Sequence, residues 1–378
     1  MMCLLKQAIL PIKCKYKIPT KQYLDQGKYP VIDQGQEFIG GYTNDEAGVI
    51  SQLPVIVFGD HTRVFKYVDF PFVAGADGVK IFQAKSCLLP KLLFYFLQAV
   101  TLPDRGYARH YQYLVKSMIP VPPMAEQKRI VRKIEELFGV IDRNIQRLTD
   151  TLEQLSQFRQ SVLEKLLNSH IPNSTLGELL QPRRERIIPS LKNQEMPYVG
   201  LDSIEPGALT LSKIETLQQT KSSCFLFCKD DVLYGRMRSY LNKVFKADFK
   251  GAASAEFIVF PKSEKILPDY LKYLLHQHRF VVFATKNSSG DRPRVKFEED
   301  LAPFHFYLPT LPEQQKIVDE IEKAFRSTDK VQKAVQNALE EAKKLKQSIL
   351  KKAFAGELVP QDPNDKPVNL PVLKGKTK

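Results

Sequence analysis

Apolar residues recur along residues 122–167 with the spacing of one face of a long helix. They alternate in steps of four and three residues through Ile134, Phe138, Ile141, Ile145, Leu148, Leu152 and Leu155. This rhythm is typical of a coiled-coil seam, in which one apolar stripe packs against a partner helix. Pro123 stands at the start, where a helix tolerates proline because its first N–H groups have no intrahelical partner. The pattern therefore predicts a helix of about 43 residues, or about 65 Å, that needs a partner.

A second copy of this pattern lies at residues 309–354 and aligns with the first without a gap. The shared residues include a Glu-Gln pair near the start and an Ile-Val pair four positions later. Thr328 and Gln332 interrupt the second stripe. In the first stripe, either Phe158 or Arg159 occupies the seam position after the last regular one. An ungapped match of this length indicates an internal duplication, and the economical partner for each helix is the other copy.

The segments that precede the two helices also resemble each other. A Leu-Pro pair opens a helical segment at Leu89 and again at Leu267, and short β-like runs at 55–58 and 232–235 precede them. The fold class is therefore predicted as α+β, with two similar α/β domains separated by two long helices packed as an antiparallel coiled coil. Antiparallel packing is expected because it alone places two similar domains at opposite ends with pseudo-twofold symmetry. The predicted order is a domain at 1–120, a helix at 121–170, a domain at 171–308, a helix at 309–358 and a polar tail at 359–378.

Composition narrows the functional class. The chain has 56 Lys and Arg against 42 Asp and Glu, a formal net charge of +14, which favours a polyanionic partner such as nucleic acid. The hydrophobic fraction of 43% and the charged fraction of 26% are typical of globular domains. No apolar run approaches the ~20 residues of a membrane span, and the N-terminus does not have the pattern of a signal peptide. The five cysteines form no paired framework, so a reducing, cytoplasmic location is expected.

Sequence motifs of catalysis are missing. The dinucleotide-binding GxGxxG, the metalloprotease HExxH, the hydrolase GxSxG and the redox CxxC patterns do not occur. The segment 375–377 resembles the end of a phosphate-binding loop but has no upstream glycine. Cys224 and Cys228 would bind zinc only if two distant histidines converged on them, so buried structural cysteines are favoured. The chain is therefore predicted to be non-catalytic, without a metal or cofactor of its own.

Basic side chains cluster instead in loops that suit contact with DNA. Arginine bonds bidentately to guanine, whereas serine and backbone N–H groups suit phosphates. Both domains have such loops in corresponding places. The candidate DNA-binding residues of the first domain are His61, Arg63, Arg105, Arg109 and His110. Those of the second domain are Arg183, Arg184, Arg236, Arg238, Ser289, Arg292 and Arg294.

Both helix starts resemble one known family. Residues 122–131 and 311–318 are similar to the start of the conserved helical regions in specificity subunits of type I restriction-modification enzymes, and residues 346–360 are similar to the end of the second such region. The order of domains and helices is also that of the family. Residues 175–179 resemble the family's start of a recognition domain, whereas the first domain has no clear counterpart in its sequence.

The resemblance implies a DNA-recognition subunit without catalytic activity. Each domain is expected to read one half of a bipartite site, while the helices act as a spacer and as a docking surface for modification subunits. The implied partners are double-stranded DNA, two modification (methyltransferase) subunits and restriction (translocase/nuclease) subunits. S-adenosylmethionine, ATP and Mg²⁺ are expected in those partner subunits rather than in this chain.

Two alternatives stay open at this point. One is a DNA-modifying enzyme with an unrecognised catalytic site, which a methyltransferase or nuclease motif would favour. The other is a coiled-coil scaffold that does not bind DNA, which low affinity for duplex DNA would favour.

Overall fold

Two long helices lie where the apolar stripes predict them. The computed structural model describes residues 1–14, 16–75, 78–103, 106 and 108–369. The first long helix spans Met124–Leu167 and the second spans Leu311–Ala355. Both begin beside the prolines that mark their predicted starts. Hydrophobic period and proline position were therefore enough to place these elements.

The chain divides into two compact units, and the division falls within both long helices. The first unit comprises Met1–Leu148 and Asn337–Lys378, and the second comprises Thr149–Gln336. Each unit thus contains one globular domain together with the helix segments that pack on it. In each unit the core is shared between the domain and both helix segments.

In the part of the chain that the structure describes, the first domain contains two four-stranded sheets and three short α-helices. One sheet has the order Ile9–Ile12, Val79–Ala84, Val55–Gly59 and Phe65–Val68. The other has the order Gly41–Thr43, Tyr29–Ile32, Phe72–Ala74 and Val49–Ile50, with a parallel central pair. A separate antiparallel pair joins Met2–Leu4 to Met118–Pro120. The helices are Leu5–Ala8, Pro90–Ala99 and Tyr111–Leu114.

The described residues of the second domain form a five-stranded sheet, a three-stranded sheet, one further strand pair and three short α-helices. The larger sheet has the order Arg186–Ile187, Cys224–Phe227, Gly251–Ala253, Pro197–Val199 and Glu215–Thr216. The smaller has the order Val244–Lys246, Val232–Gly235 and Phe257–Phe260, and the separate pair joins Ser174–Thr175 to His305–Phe306. The helices are Leu176–Leu179, Pro268–His276 and His278–Lys286.

The two domains share a strand that is buried along its whole length, which we call the central strand. It is Val55–Gly59 in the first domain and Val232–Gly235 in the second. Each central strand pairs antiparallel with the strand that follows it and with a second strand further along the chain. A strand that is buried on both faces has consecutive apolar residues instead of alternating apolar and polar ones. Both central strands have such a sequence. The internal duplication therefore extends into the domains.

The first domain has a structural counterpart of the start at residues 175–179, although its sequence shows no clear one. Met2–Leu4 forms the strand and Leu5–Ala8 the short helix that correspond to Ser174–Thr175 and Leu176–Leu179. The backbone N–H of Leu4 donates to Gln7 Oε1 at 2.9 Å, as that of Thr175 donates to Glu178 Oε2 at 2.8 Å. The two sequences do not match because Gln7 takes the place of Glu178 and Leu4 takes the place of the capping Thr175.

A buried glutamine fastens the start of each long helix to its domain, and we call each one a glutamine clamp. Gln127 Oε1 accepts from the N–H of Leu89 at 2.8 Å, and its Nε2 donates to the carbonyls of Cys87 and Pro122 at 2.8 and 2.9 Å. Gln314 makes the same three bonds in the second unit, to the N–H of Leu267 at 2.8 Å and to the carbonyls of Lys265 and Pro309 at 3.1 and 3.0 Å. Both glutamines are completely buried, so each clamp satisfies backbone groups that water does not reach.

The helix segments pack antiparallel within each unit, and a matching cluster joins them. In the first unit, Lys346 of the second helix forms an ion pair with Asp142, and its ammonium lies 4.8 Å from the ring centre of Phe138. We call this cluster the first junction. In the second unit, Arg159 forms an ion pair with Asp329, and its guanidinium lies 5.1 Å from the ring centre of Phe325. We call this cluster the second junction. In the ungapped alignment of the two copies, each residue of one junction matches the residue of the same role in the other.

The second junction also explains the irregular seam. Arg159 rather than Phe158 occupies the seam position, because Phe158 is 51% exposed. Arg159 Nε donates to Thr328 Oγ1 at 2.7 Å, and the hydroxyl of Thr328 donates to the carbonyl of Phe325 at 2.8 Å. The position that corresponds to Thr328 in the first copy is the buried Ile141. Arg159 in the first stripe and Thr328 in the second, two of the polar interruptions, are therefore partners of each other.

The predicted polar tail is in part packed against the first unit. Asp365 accepts from Arg129 Nη2 at 2.7 Å and its side chain is only 9% exposed. Leu358, Val359 and Val368 are partly buried against the core of the same unit. Residues 370–378 lie outside the described residues.

Candidate nucleic-acid interface

In the first domain, the loop after the central strand is tied to the loop before the last short helix. The buried Asp60 donates its N–H to the carbonyl of Gly78 at 2.7 Å. The N–H of His110 in turn donates to the Asp60 carbonyl at 2.9 Å. These bonds fix two segments against each other, which we call the first loop pair: residues 60–63 and 108–111.

Two of the predicted DNA-binding residues of the first domain lie at the surface of this loop pair. Arg63 and Arg109 are exposed, and His61 is half-buried. Arg63 has a φ of 63°, in the left-handed region, so the loop turns sharply at this arginine. Arg105 lies outside the described residues.

His110 differs from the other candidates because it is completely buried. Its Nδ1 lies 3.0 Å from the carbonyl oxygen of Asp60. The N–H of the next residue, Tyr111, donates to Asp60 Oδ1 at 2.7 Å. The prediction that His110 contacts DNA therefore needs correction. The ring has no exposed surface and holds the first loop pair together.

The second domain joins its loops by the same main-chain bonds. The N–H of Arg236 donates to the carbonyl of Glu256 at 2.8 Å, and the N–H of Val295 donates to the carbonyl of Arg236 at 3.0 Å. A third bond runs from the N–H of Arg238 to the carbonyl of Pro293 at 2.7 Å. We call the joined segments the second loop pair: residues 235–242 and 287–296.

The main-chain bonds make positions in the two loop pairs correspond. The N–H of Asp60 and that of Arg236 each donate to the residue just before a strand that pairs with the central strand, and their carbonyls accept from the opposite loop. His110 and Val295 are the residues that donate to them, and both are completely buried. The residue before each is an exposed arginine, which is Arg109 in the first domain and Arg294 in the second. Two of the predicted DNA-binding arginines thus occupy equivalent sites.

The second loop pair brings together the remaining candidates from its two segments. Arg238, Ser289 and Arg292 are exposed, and Arg236 is half-buried. Within the described ranges no hydrogen bond or ion pair of the Arg292 side chain is found. Gly290 has a φ of 90°, which permits the tight turn that places Ser289 opposite Arg294.

Arg294 is held by an acidic residue that the sequence did not single out. Its Nε donates to Glu256 Oε2 at 2.9 Å and its Nη2 donates to Oε1 at 2.8 Å. The Arg294 guanidinium keeps the pKa of the Glu256 carboxyl below its ordinary value, with Arg236 adding to the effect. Both groups are therefore charged at neutral pH. Glu256 lies far from Arg294 in the sequence and outside any basic motif, so no pattern revealed the pair.

The arginines at the start of the second domain have two different roles. Arg183 donates to the carboxylate of Asp231 through Nε at 3.0 Å and through Nη2 at 3.2 Å, and Asp231 is only 1% exposed. Its Nη1 also donates to Glu185 Oε2 at 3.4 Å, and its side chain is only 19% exposed. All three nitrogens of the guanidinium are thus engaged in the fold, and the prediction of a DNA contact needs correction there. Arg184 has a side chain that is 86% exposed and pairs with Glu298 at 3.2 Å, so it remains a surface candidate.

A comparison with protein families decides the class of this chain. The family described as the type I restriction modification DNA specificity domain matches residues 7–154 and again residues 169–341. The two matches cover well over half of the chain. The chain belongs to this family. Its two specificity domains coincide with the duplication that the sequence and the loop pairs display.

This chain is similar to known specificity subunits. The type I restriction enzyme EcoDI specificity subunit of Escherichia coli is 26% identical over 281 residues, which cover 64% of this chain and 63% of the relative. The EcoR124I/EcoR124II specificity subunit of Escherichia coli is 25% identical over 365 residues, 86% of each chain. The chain thus spans less than two thirds of the EcoDI relative.

One solved structure shares the fold. It comes from work on complex assembly and conformational transition of the type I R-M system, and its chain superposes with a TM-score of 0.64. The superposition covers 95% of this chain and 98% of that chain at 18% identity. The fold of specificity-domain proteins therefore applies to nearly the whole chain.

In the described part of the chain, no group of three or more His, Cys, Asp or Glu side chains is arranged to hold a metal ion. None of the helices described combines the length and the apolar character that crossing a membrane requires.

Proposed function

We propose that this chain is the DNA sequence-recognition subunit of a type I restriction-modification complex and acts in the cytoplasm. Each domain reads one half of a bipartite double-stranded DNA site. The long helices set the distance between the halves and dock two modification subunits, and restriction subunits join the same complex. The partners supply the chemistry: adenine methylation with S-adenosylmethionine in the modification subunits, and ATP- and Mg²⁺-dependent translocation and cleavage in the restriction subunits.

The observation that carries the proposal is the pair of equivalent loop pairs, each with an exposed arginine at the corresponding position. Arg109 and Arg294 lie on the same main-chain frame but have different neighbours. One chain with two equivalent basic surfaces of different chemistry fits the reading of two different half-sequences. The net charge of +14 and the membership of a DNA specificity family support the same conclusion.

Methylome sequencing of a host that carries this chain with its modification partner tests the proposal. We expect methylated adenines in a motif of two specified halves separated by a gap of fixed length. Methylation should disappear when this chain is omitted. A methylome that does not depend on the chain, or a single uninterrupted motif, would contradict the proposal.

The chain alone should be inactive. The purified chain is expected to have no methyltransferase, ATPase or nuclease activity, since the proposal assigns these reactions to its partners. Methylation of DNA by the chain alone in the presence of S-adenosylmethionine would favour the alternative of a DNA-modifying enzyme.

A further inference from the structure

The guanidinium of Arg294 is held along one side only. The ion pair with Glu256 uses the Nε–H and one hydrogen of Nη2. The outer edge keeps the hydrogens of Nη1 and the second hydrogen of Nη2, which are parallel donors in one plane. That arrangement matches the O6 and N7 acceptors of guanine in the major groove. The pair therefore leaves free the edge that reads a base.

Both members of the pair are anchored to the frame of the second loop pair. The carbonyl of Glu256 accepts from Arg236, and Arg294 is followed by the completely buried Val295. The side chain of Glu256 is 28% exposed and that of Arg294 is 41% exposed. The carboxylate is thus less exposed to solvent than the guanidinium.

A neighbouring carboxylate changes which DNA group suits an arginine. A phosphate is an anion and is repelled by the Glu256 carboxylate, whereas the edge of guanine is a neutral acceptor. An arginine already held in one orientation also loses less side-chain freedom when it binds. The charge and the geometry both favour a base over a phosphate as the ligand of Arg294.

The first domain lacks this support at the corresponding position. Gly78 takes the place of Glu256, with its carbonyl in the same hydrogen bond to the loop. Its φ is +87°, and a Cβ there would lie 2.5 Å from Gln34 Oε1. A side chain at this position would be strained by the backbone conformation, and glycine supplies no carboxylate to Arg109.

On the basis of the proposed function, on which this inference rests, we propose that Glu256 determines specificity in the second domain by positioning Arg294 to read a guanine. Glu256 acts through Arg294 and does not touch the base itself. The guanine belongs to the half-site of the second domain, and the first half-site is read without such a pair.

The experiment uses the full chain assembled with its modification subunits. For every position of the methylated site, the relative methylation rates of all four base pairs are measured. The variants are Arg294→Lys, which keeps the charge but loses the bidentate edge, and Glu256→Gln, which keeps the shape of the side chain. The control is Glu215→Gln, since Glu215 pairs with Lys213 at 2.8 Å in the same domain and is 22% exposed.

We expect Arg294→Lys to lower the preference for guanine at one position of one half-site by roughly 5- to 150-fold, the worth of a bidentate contact. Glu256→Gln should lower it at the same position by roughly two- to tenfold, the worth of one hydrogen bond. All other positions, and the Glu215→Gln control, should keep the preference of the unmodified chain.

Two results would overturn the inference. One is an unchanged base preference at every position in both variants. The other is a uniform loss for all sequences with a smaller salt dependence, which identifies Arg294 as a phosphate contact. A variant that only misfolds would lose both half-sites together and melt at a lower temperature. If the unmodified complex has no base preference at all, it is the proposed function that fails.

Discussion

The two domains keep one main-chain frame and place different side chains on it. Arg109 and Arg294 occupy corresponding exposed positions, but Glu256 supports only the second, because Gly78 takes its place in the first domain. Bonds between main-chain atoms do not depend on side-chain identity, so the frame persists after duplication while the surface diverges. The comparison teaches that the main chain fixes the shape of these loops, whereas the side chains make the two surfaces different.

The two junctions in the helices likewise share one arrangement but differ in their side chains. Both place a cation against an aspartate and over a phenylalanine ring, but lysine serves in the first junction and arginine in the second. The arginine of the second junction also reaches the hydroxyl of Thr328 through Nε, a bond that a lysine ammonium in this place does not make. The irregular seam position and its partner therefore changed together.

Changing the length of the helices should have the largest effect. As many residues separate Asp142 from Arg159 as separate Asp329 from Lys346, so both junctions stay in register only while the helices match. One heptad added to both helices, between Leu148 and Leu152 and between Val335 and Leu339, keeps each seam in phase. It adds about 10 Å, or about 3 base pairs.

The lengthened protein should methylate the same two half-sequences across a wider gap, with weaker binding because the half-sites rotate relative to each other. The heptad added to one helix alone should disrupt a junction and destabilise the chain. Methylome sequencing measures the gap. Methylation of the original spacing at full rate by the doubly lengthened protein would show that the helices do not set it.

Removing a glutamine clamp should have the next largest effect. Gln314→Ala leaves the N–H of Leu267 and two carbonyls without their partner, which should lower the free energy of unfolding of the second unit by about 3 kcal/mol. Gln127→Ala should do the same to the first unit. The neighbouring exposed Gln315→Ala is the control. Hydrogen exchange of each unit measures the loss, and a clamp variant no less stable than the control would refute the role.

Acid should destabilise the second unit through His276. Burial, with Arg159 and Lys272 nearby, lowers the pKa of His276 to about 4, and the Leu-Pro alignment gives Gln98 as its counterpart in the first unit. Because the unfolded chain takes up the proton near pH 6.5 and the folded chain only near pH 4, stability falls as the pH drops through this window.

The loss at pH 5 relative to pH 7 should be about 2 kcal/mol for the second unit. His276→Gln, which copies the first unit, should remove this contribution. Hydrogen exchange at the two pH values distinguishes the units. Equal acid sensitivity of the variant and the unmodified chain would contradict the assignment to His276.

Exchanging the junctions should have the smallest effect. Arg159→Lys or Thr328→Ile alone should each destabilise the second unit by about 1 kcal/mol, since each breaks the bond between the two side chains. The double variant reproduces the first junction and should recover most of that loss. A double-mutant cycle from urea unfolding measures the coupling. Simple additivity of the two changes would mean that the junctions are not interchangeable units.

Sequence reasoning predicted the long helices and the duplication because both depend on local period and on direct repetition. It did not predict how the strands pair, since pairing joins segments that are far apart in the chain. The start of the first domain was missed because the same hydrogen bond is made by a different residue, Gln7 in place of Glu178.

The candidate site was predicted only in part, because a loop sequence does not reveal which side chains point inward. Arg183 is hydrogen-bonded to Asp231, 48 residues away along the chain, and the ring of His110 contacts the carbonyl oxygen of Asp60, 50 residues away. Glu256 was missed for the same reason, since its partner Arg294 lies 38 residues along the chain. The matching glutamines of the repeat were visible in the sequence, and a buried clamp was the reason for their identity.

The most direct test of the account compares Arg109→Ala with Arg294→Ala, each assembled with the modification partner and each analysed by methylome sequencing. We predict that each variant relaxes one base position in a different half-site, while the other half and the length of the gap stay as they are in the unmodified protein. Relaxation of the same half by both variants, or unchanged motifs in both, would contradict the claim that the duplicated loop pairs read the two halves of one site.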